Sequence, residues 1–157
     1  MHFPKLSSAV LIATTFSVTP VVAQESTTLK KIKDTGSITL GHRESSIPFS
    51  YYDDKQQVIG YSHELMLKVV DDIKTNLKLA KLDTRLMPVT SANRITLIQN
   101  GTVDIECGST TNNLERQKQV SFSSTIFVIG TRLMTKKDSG IKDFADLTGK
   151  NAVTTAG

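Results

Sequence analysis

Arg116 stands five residues after Thr111, which closes a run of small residues, Gly108-Ser109-Thr110-Thr111. A guanidinium is a planar fork of donors that suits a carboxylate held by two hydrogen bonds. Hydroxyls at the entry to a helix cap its first N–H groups, or they share those groups with a bound anion. Ser109 and Thr111 are the candidates for that part. Two further arginines sit in similar company: Arg43 within His42-Arg43-Glu44, and Arg94 three residues after Ser91. Taken singly, each arginine also reads as a solvated surface residue. Brought together they repel one another, and an anion between them removes the repulsion.

The elements that must position these residues follow from spacing. Ser37 to Gly41 alternates as a strand does, and Thr84 to Val89 and Val103 to Cys107 read as two more. Phe49 to Tyr52 and Val58 to Tyr61 predict a hairpin with a polar tip. Ser62 is placed to cap a helix whose stripe is Leu65, Val69, Ile73 and Leu77. Ser91 opens another helix, with Ile95 and Ile98 on one side and Asn100-Gly101 as its C-terminal cap. Asn112 to Gln119 is a further helix, and Thr28 to Lys33 and Asp143 to Leu147 are short ones. Ser121 to Ile129, Thr131 to Thr135 and Ala152 to Thr155 read as extended.

Strands alternating with helices predict an α/β fold, a mostly parallel sheet covered on both faces. Ligands bind such sheets at the carboxyl ends of the strands. Arg43 follows the first strand, Ser91 and Arg94 the second, and Ser109, Thr111 and Arg116 the third. All six fall at one edge.

Composition narrows the class. Lys5, the apolar core Ala9 to Phe16 and the small residues Val21-Val22-Ala23 have the form of a secretory signal cleaved near Ala23, so a periplasmic location is expected. The apolar core is shorter than the roughly 20 residues that span a bilayer. Removing 23 residues from 157 leaves 134, enough for one modest domain. Net charge falls from +4 to +3 when Lys5 leaves, and acids are scattered among the bases, so no nucleic-acid partner is indicated. The one cysteine, Cys107, forms no internal disulfide and no zinc-type pairing, and no cofactor motif is present. In an oxidising compartment it is either buried and inert or paired with another molecule.

Gly41-His42-Arg43-Glu44-Ser45-Ser46-Ile47-Pro48-Phe49, Thr90-Ser91-Ala92-Asn93-Arg94, Gln99-Asn100-Gly101-Thr102 and Glu106 to Gln119 closely resemble the glutamate/aspartate-binding proteins of bacterial ABC importers. These belong to the family 3 solute-binding proteins, periplasmic proteins of two α/β lobes joined by a hinge. The likeness runs from about Thr28 to Gly157. It implies that Arg116, Thr111 and Ser109 hold the ligand's α-carboxylate, and that Arg43, Ser91 and Arg94 hold its side-chain carboxylate. It also implies L-glutamate or L-aspartate as ligand, permease subunits of an ABC importer at the inner membrane as partners, and a monomer that is not an enzyme. On the family's plan, residues 24–130 are the first lobe, 131–135 a hinge crossing and 136–157 the start of a second lobe that the chain only begins. A truncated chain with part of a binding site is the expectation.

Two rival functions share this fold. A dehydratase-like periplasmic enzyme needs a general acid or base in the cleft, for which His42, Glu44 and Glu106 are the candidates. On local pattern His42 reads as an orienting residue and Glu106 as a structural partner. A ligand-sensing domain of a receptor needs a membrane helix further along the chain.

Overall fold

The computed structural model describes residues 27–154, so the expected export signal, residues 1–23, lies outside the described residues, as does Thr155 of the expected last strand. Thr27–Thr35 is α1, and it buries Ile32. Ser37–His42 is β1, Ser45–Ser46 β2, Ser50–Tyr52 β3 and Val58–Ile59 β4. Tyr61–Asn76 is α2, Asp83–Pro88 β5, Arg94–Gln99 α3, Ile105–Glu106 β6 and Leu114–Gln117 α4. A single 3-10 turn, Phe144–Leu147, follows.

β1 is the centre of a parallel sheet ordered β5-β1-β6. Leu40 lies beside Leu86 on one neighbour and Ile105 on the other. Asp104 fastens this arrangement from below. Its carboxylate accepts from the Thr39 N–H at 2.9 Å and from Lys31 Nζ of α1 at 2.9 Å. The smaller sheet, β2-β3-β4, is antiparallel and contains the expected hairpin, with Tyr51 opposite Ile59. Asp53 Oδ1 accepts from the N–H groups of Lys55 and Gln57 at its tip. Gly60 lets the chain leave this hairpin for α2. Its φ is +122°, and a Cβ there would lie 2.5 Å from the Phe49 carbonyl oxygen.

Alternate residues of a strand face opposite ways. Ile38 and Leu40 face α1 and α2 and pack with Ile32, Met66 and Val70 as the core. Gly41 faces the other way, and a Cβ there would sit 3.0 Å from Val103 and 3.2 Å from Val89.

The stripe expected on α2 is corrected by this packing. Val69 is 43% exposed, while Ser62, His63, Met66 and Val70 form the buried face, with Ile73 and Leu77 packed alongside. A strict fourfold repeat advances about 40° around a helix at each step, so it drifts off any one face. Ser62 is also not the cap: α2 begins at Tyr61, and Ser62 lies buried in its first turn. Segments 121–129 and 131–135 form no strand, and residues 152–154 none either. A β-rich segment becomes a strand only where a neighbour meets its N–H and C=O groups. Among the described residues none after Val103 is buried as a whole, though the Asp104 side chain is.

Two histidines are buried in this core region, His42 at 1% and His63 at 5% exposure. Burial first, and then the charge of His42, push the His63 imidazole below its ordinary value, with Glu64 pushing partly back. The unfolded chain therefore binds a proton that the folded one resists. That stability is fully present above the unfolded value, about 6.5, and is lost as pH falls below it. The thermal midpoint should drop between about pH 7.5 and 5.5, where free histidine titrates, and drop less in His63→Leu. Equal drops in both proteins would remove His63 as the cause.

Candidate functional site

The parallel register brings three chain segments to one edge. Arg43 follows β1 directly, Ser91 and Arg94 follow β5, and Gly108 to Arg116 follows β6. Each of the six residues expected at the site follows a strand at that edge; hydrogen bonds link Arg43 to Ser91, Ser109 to Arg43 through Ser46, and Arg116 to Thr111, while the Arg94 side chain joins none of them.

Arg43 is the most constrained. Its Nε donates to Ser46 Oγ at 3.2 Å, one terminal nitrogen to the Val89 carbonyl at 3.0 Å, and the other to Ser91 Oγ at 3.1 Å. Ser46 also accepts from Ser109 Oγ at 3.3 Å, so the β1, β5 and β6 loops meet through hydroxyls around one guanidinium. Ser91 is free for this role because α3 is opened by other residues. Thr90 N–H donates to Asn93 Oδ1 at 2.8 Å, and Asn93 N–H to Thr90 Oγ1 at 3.2 Å. At the far end of α3, Gly101 has φ +73° and its N–H donates to the Ile98 carbonyl, in keeping with the expected C-terminal cap.

Arg94, the first residue of α3, is only 5% exposed. Its Nε and one terminal nitrogen are buried without a protein partner among the described residues. Burial pushes its guanidinium below the usual arginine range, Glu106 pushes it back up, and Arg116 and Arg43 add to the lowering. Leaving charged donors buried and unpaired costs at least about 1–3 kcal/mol. Arginine stays charged through the accessible pH range regardless.

The loop after β6 departs from expectation in its capping. α4 is a single turn, Leu114–Gln117, rather than the run from Asn112 to Gln119. Its cap is Asn113, whose Oδ1 accepts from the Arg116 N–H at 2.9 Å. Ser109, Thr110 and Thr111 do not cap it. Two of their hydroxyls are committed elsewhere: Ser109 to Ser46, and Thr110 to Glu106 Oε2 at 2.7 Å. Arg116 folds back so that a terminal nitrogen donates to the Thr111 carbonyl at 3.0 Å. From beneath, Ser62 of α2 donates to the Gly108 carbonyl at 2.9 Å and fixes the start of this loop.

Ser46 and Thr110 are residues of this edge that sequence spacing missed, and Glu106, weighed there as a general acid or base or a structural partner, stands beside them. Glu106 is half-buried on β6, and its Oε1 is out of reach of solvent with no partner among the described residues. Burial pushes its carboxyl above the usual range. The Thr110 hydrogen bond and then Arg94, Arg43 and Arg116 act against that rise. Among the described residues, none of the three arginines is within ion-pairing distance of a carboxylate. Three guanidiniums and the Glu106 carboxylate are thus close enough at this edge to act on one another.

A cavity of about 330 Å³ lies on the other side of the β6 loop, between Ser109 to Thr111 and the aromatic side chains Phe49, Phe122 and Phe127. None of the three arginines lines it. Cys107 does, and burial, then Glu106, push its thiol up to about 11, against a hydrogen bond from Ser62. At neutral pH it is a protonated, unreactive thiol. No metal-binding group of three His, Cys, Asp or Glu occurs among the described residues.

Residues 38–154 match the model of the bacterial extracellular solute-binding proteins, family 3. The chain belongs to that family. It is 62% identical over 156 residues to the L-glutamate/L-aspartate-binding protein of Pseudomonas aeruginosa, a match covering 98% of this chain and 51% of the relative. It is 60% identical over 130 residues to the glutamate/aspartate import solute-binding protein of Salmonella typhimurium, covering 83% of this chain and 43% of that one. Among solved structures, an ancestral amino-acid-binding protein described as a precursor of cyclohexadienyl dehydratase superposes with TM-score 0.66 at 28% identity. That match covers 77% of this chain and 51% of the other. The chain thus spans about half the length of the curated relatives it matches.

Gly108 offers a direct check on how tightly the edge of this family 3 chain is packed. A Cβ there would lie 2.7 Å from Arg43 Cγ and 2.9 Å from Glu106 Oε1. Gly108→Ala should therefore destabilise the fold by about 1–3 kcal/mol, as overpacking does, and chemical denaturation measures it. An unchanged midpoint would mean that the Arg43 stem moves aside freely.

Proposed function

We propose that this chain supplies the first-lobe half of the binding site of a periplasmic solute-binding protein that delivers L-glutamate or L-aspartate to the permease subunits of an ABC importer. In this reading residues 24–130 form the lobe, 131–135 the crossing to a second lobe, and 136–157 the beginning of that lobe. The protein acts as a monomer, and it binds its ligand without turning it over.

The observation that carries the proposal is Arg94: a buried guanidinium with unpartnered donors, at an edge that also holds Arg43 and Arg116. Its donors find no acceptor among the described residues, which a bound anion would supply. Arg43, Ser91 and Arg94 would take the ligand's side-chain carboxylate, and Ser109, Thr111 and Arg116 its α-carboxylate. The names of the two close relatives support an acidic amino acid as ligand. Exposure of nearly every residue from 130 to 154, with Met134 and Val153 fully exposed, supports placing that stretch outside the first lobe.

Ligand charge is the test. L-Glutamine has the size of L-glutamate but one carboxylate fewer, so it would leave desolvated cations unpaired. Titration of the chain followed by NMR should show glutamate shifting the signals of Arg43, Arg94 and Ser109 to Arg116. Glutamine should bind at least about tenfold more weakly, a difference of one decade in the dissociation constant. Arg94→Gln should remove that preference. Equal binding of the two ligands, or shifts at Phe49, Phe122 and Phe127 without shifts at Arg43 and Arg94, would overturn the reading.

A further inference from the structure

Glu106 is expensive to keep where it is. Its carboxylate sits on β6 at the ligand edge, with one oxygen held by Thr110 and the other buried without a partner. Its stem packs against the backbone of Gly41, where a Cβ would come within 3.3 Å of Glu106 Cγ, and Gly108 leaves room for Oε1. A glutamine of the same shape would fill the space without an ionisable group. The charged groups that face it come from three separate elements: Arg94 from α3, Arg43 from the end of β1 and Arg116 from α4. Next to it in the chain, just past β6, is Cys107, a neutral thiol at physiological pH. Arg94 itself keeps two unpartnered nitrogens among the described residues.

The charge count is suggestive. Three arginines carry +3, and an ionised Glu106 reduces this to +2, to which the two carboxylates of the ligand are opposed in sign. A protonated Glu106 leaves +3, and the edge then attracts anions more strongly.

We infer that Glu106 is the built-in counter-ion of the arginine edge, a positioning and specificity-determining residue whose charge sets how strongly the edge attracts a dicarboxylate. It acts through the guanidiniums and not by touching the ligand. The inference rests on the acidic-amino-acid reading above and adds to it a residue and a pH dependence. Burial pushes the Glu106 carboxyl upward against the pull of the arginines, so its titration extends above the range of an exposed glutamate. As pH falls, the edge gains positive charge while the ligand's carboxylates stay mostly ionised down to about pH 5. Glutamate binding should tighten as pH falls.

The experiment compares the chain with Glu106→Gln and Glu106→Asp, titrating each with L-glutamate between about pH 7.5 and 5.5, above the range of free carboxylates. The unaltered chain should bind more tightly at the lower pH, and Glu106→Gln should bind tightly and nearly independently of pH. Glu106→Asp should restore the pH dependence, which a loss of packing alone would not do. If all three proteins bind glutamate with one affinity and one pH slope, the counter-ion role is wrong while the ligand reading stands. If none binds glutamate, the ligand reading fails. The counter-ion role is then decided by carbon-13 NMR titration of the Glu106 carboxyl: Arg94→Gln should raise its midpoint, and an unmoved midpoint would overturn the inference.

Discussion

Parallel pairing of β1 with β5 on one side and β6 on the other is the constraint on which everything else depends. Parallel strands end on the same edge, so the residues following each strand are delivered to one place whatever their separation in the chain. Arg43, Ser91 and Ser109 are far apart in sequence, yet they meet through hydrogen bonds to Arg43 and Ser46. Two features keep the register: the apolar contacts of Ile38 and Leu40 with α1 and α2, and the Asp104 carboxylate that ties the start of β6 to both β1 and α1. A slip of one residue would turn Ile38 and Leu40 away from that core.

The cost of assembling the edge is electrostatic. Three guanidiniums sit together with no ion-paired carboxylate among the described residues, and one of them is almost wholly buried. Hydrogen bonds to neutral partners hold Arg43 and Arg116 in place without cancelling their charge. Such an arrangement is poorer for stability than a surface of paired charges, and that is the usual condition of a site shaped for a ligand. Glu106 offsets part of the repulsion while itself resisting ionisation. The hollow beside the β6 loop adjoins this edge: Phe49, Phe122 and Phe127 line it together with Glu106, Ser109 and Thr111, though no arginine does.

Much of the local structure was legible from residue types. β1 and β5 fall within a residue of where alternation puts them, the hairpin pairs as its polar tip implies, and Asn100-Gly101 closes α3. The misreadings share one cause. Ser62, Ser109 and Thr111 all have the chemistry of helix caps. The first is instead committed to the Gly108 carbonyl and the second to Ser46, contacts that come from elements distant in sequence. Val69 matches a fourfold apolar repeat, yet the sheet meets a face of α2 that includes the polar Ser62 and His63. Segment 121–135 has strand-like composition and no neighbour to complete it.

By itself, the sequence determined which chemistry was on offer: three arginines among hydroxyls, each placed after a strand, in a chain of alternating strands and helices. Those are local properties, set by residue type and spacing. Only the tertiary structure decided which arginine is buried, which hydroxyls hold Arg43, and that Glu106 stands among all three cations. Burial and partnership depend on what other segments place alongside a residue, and no periodicity within its own segment carries that information.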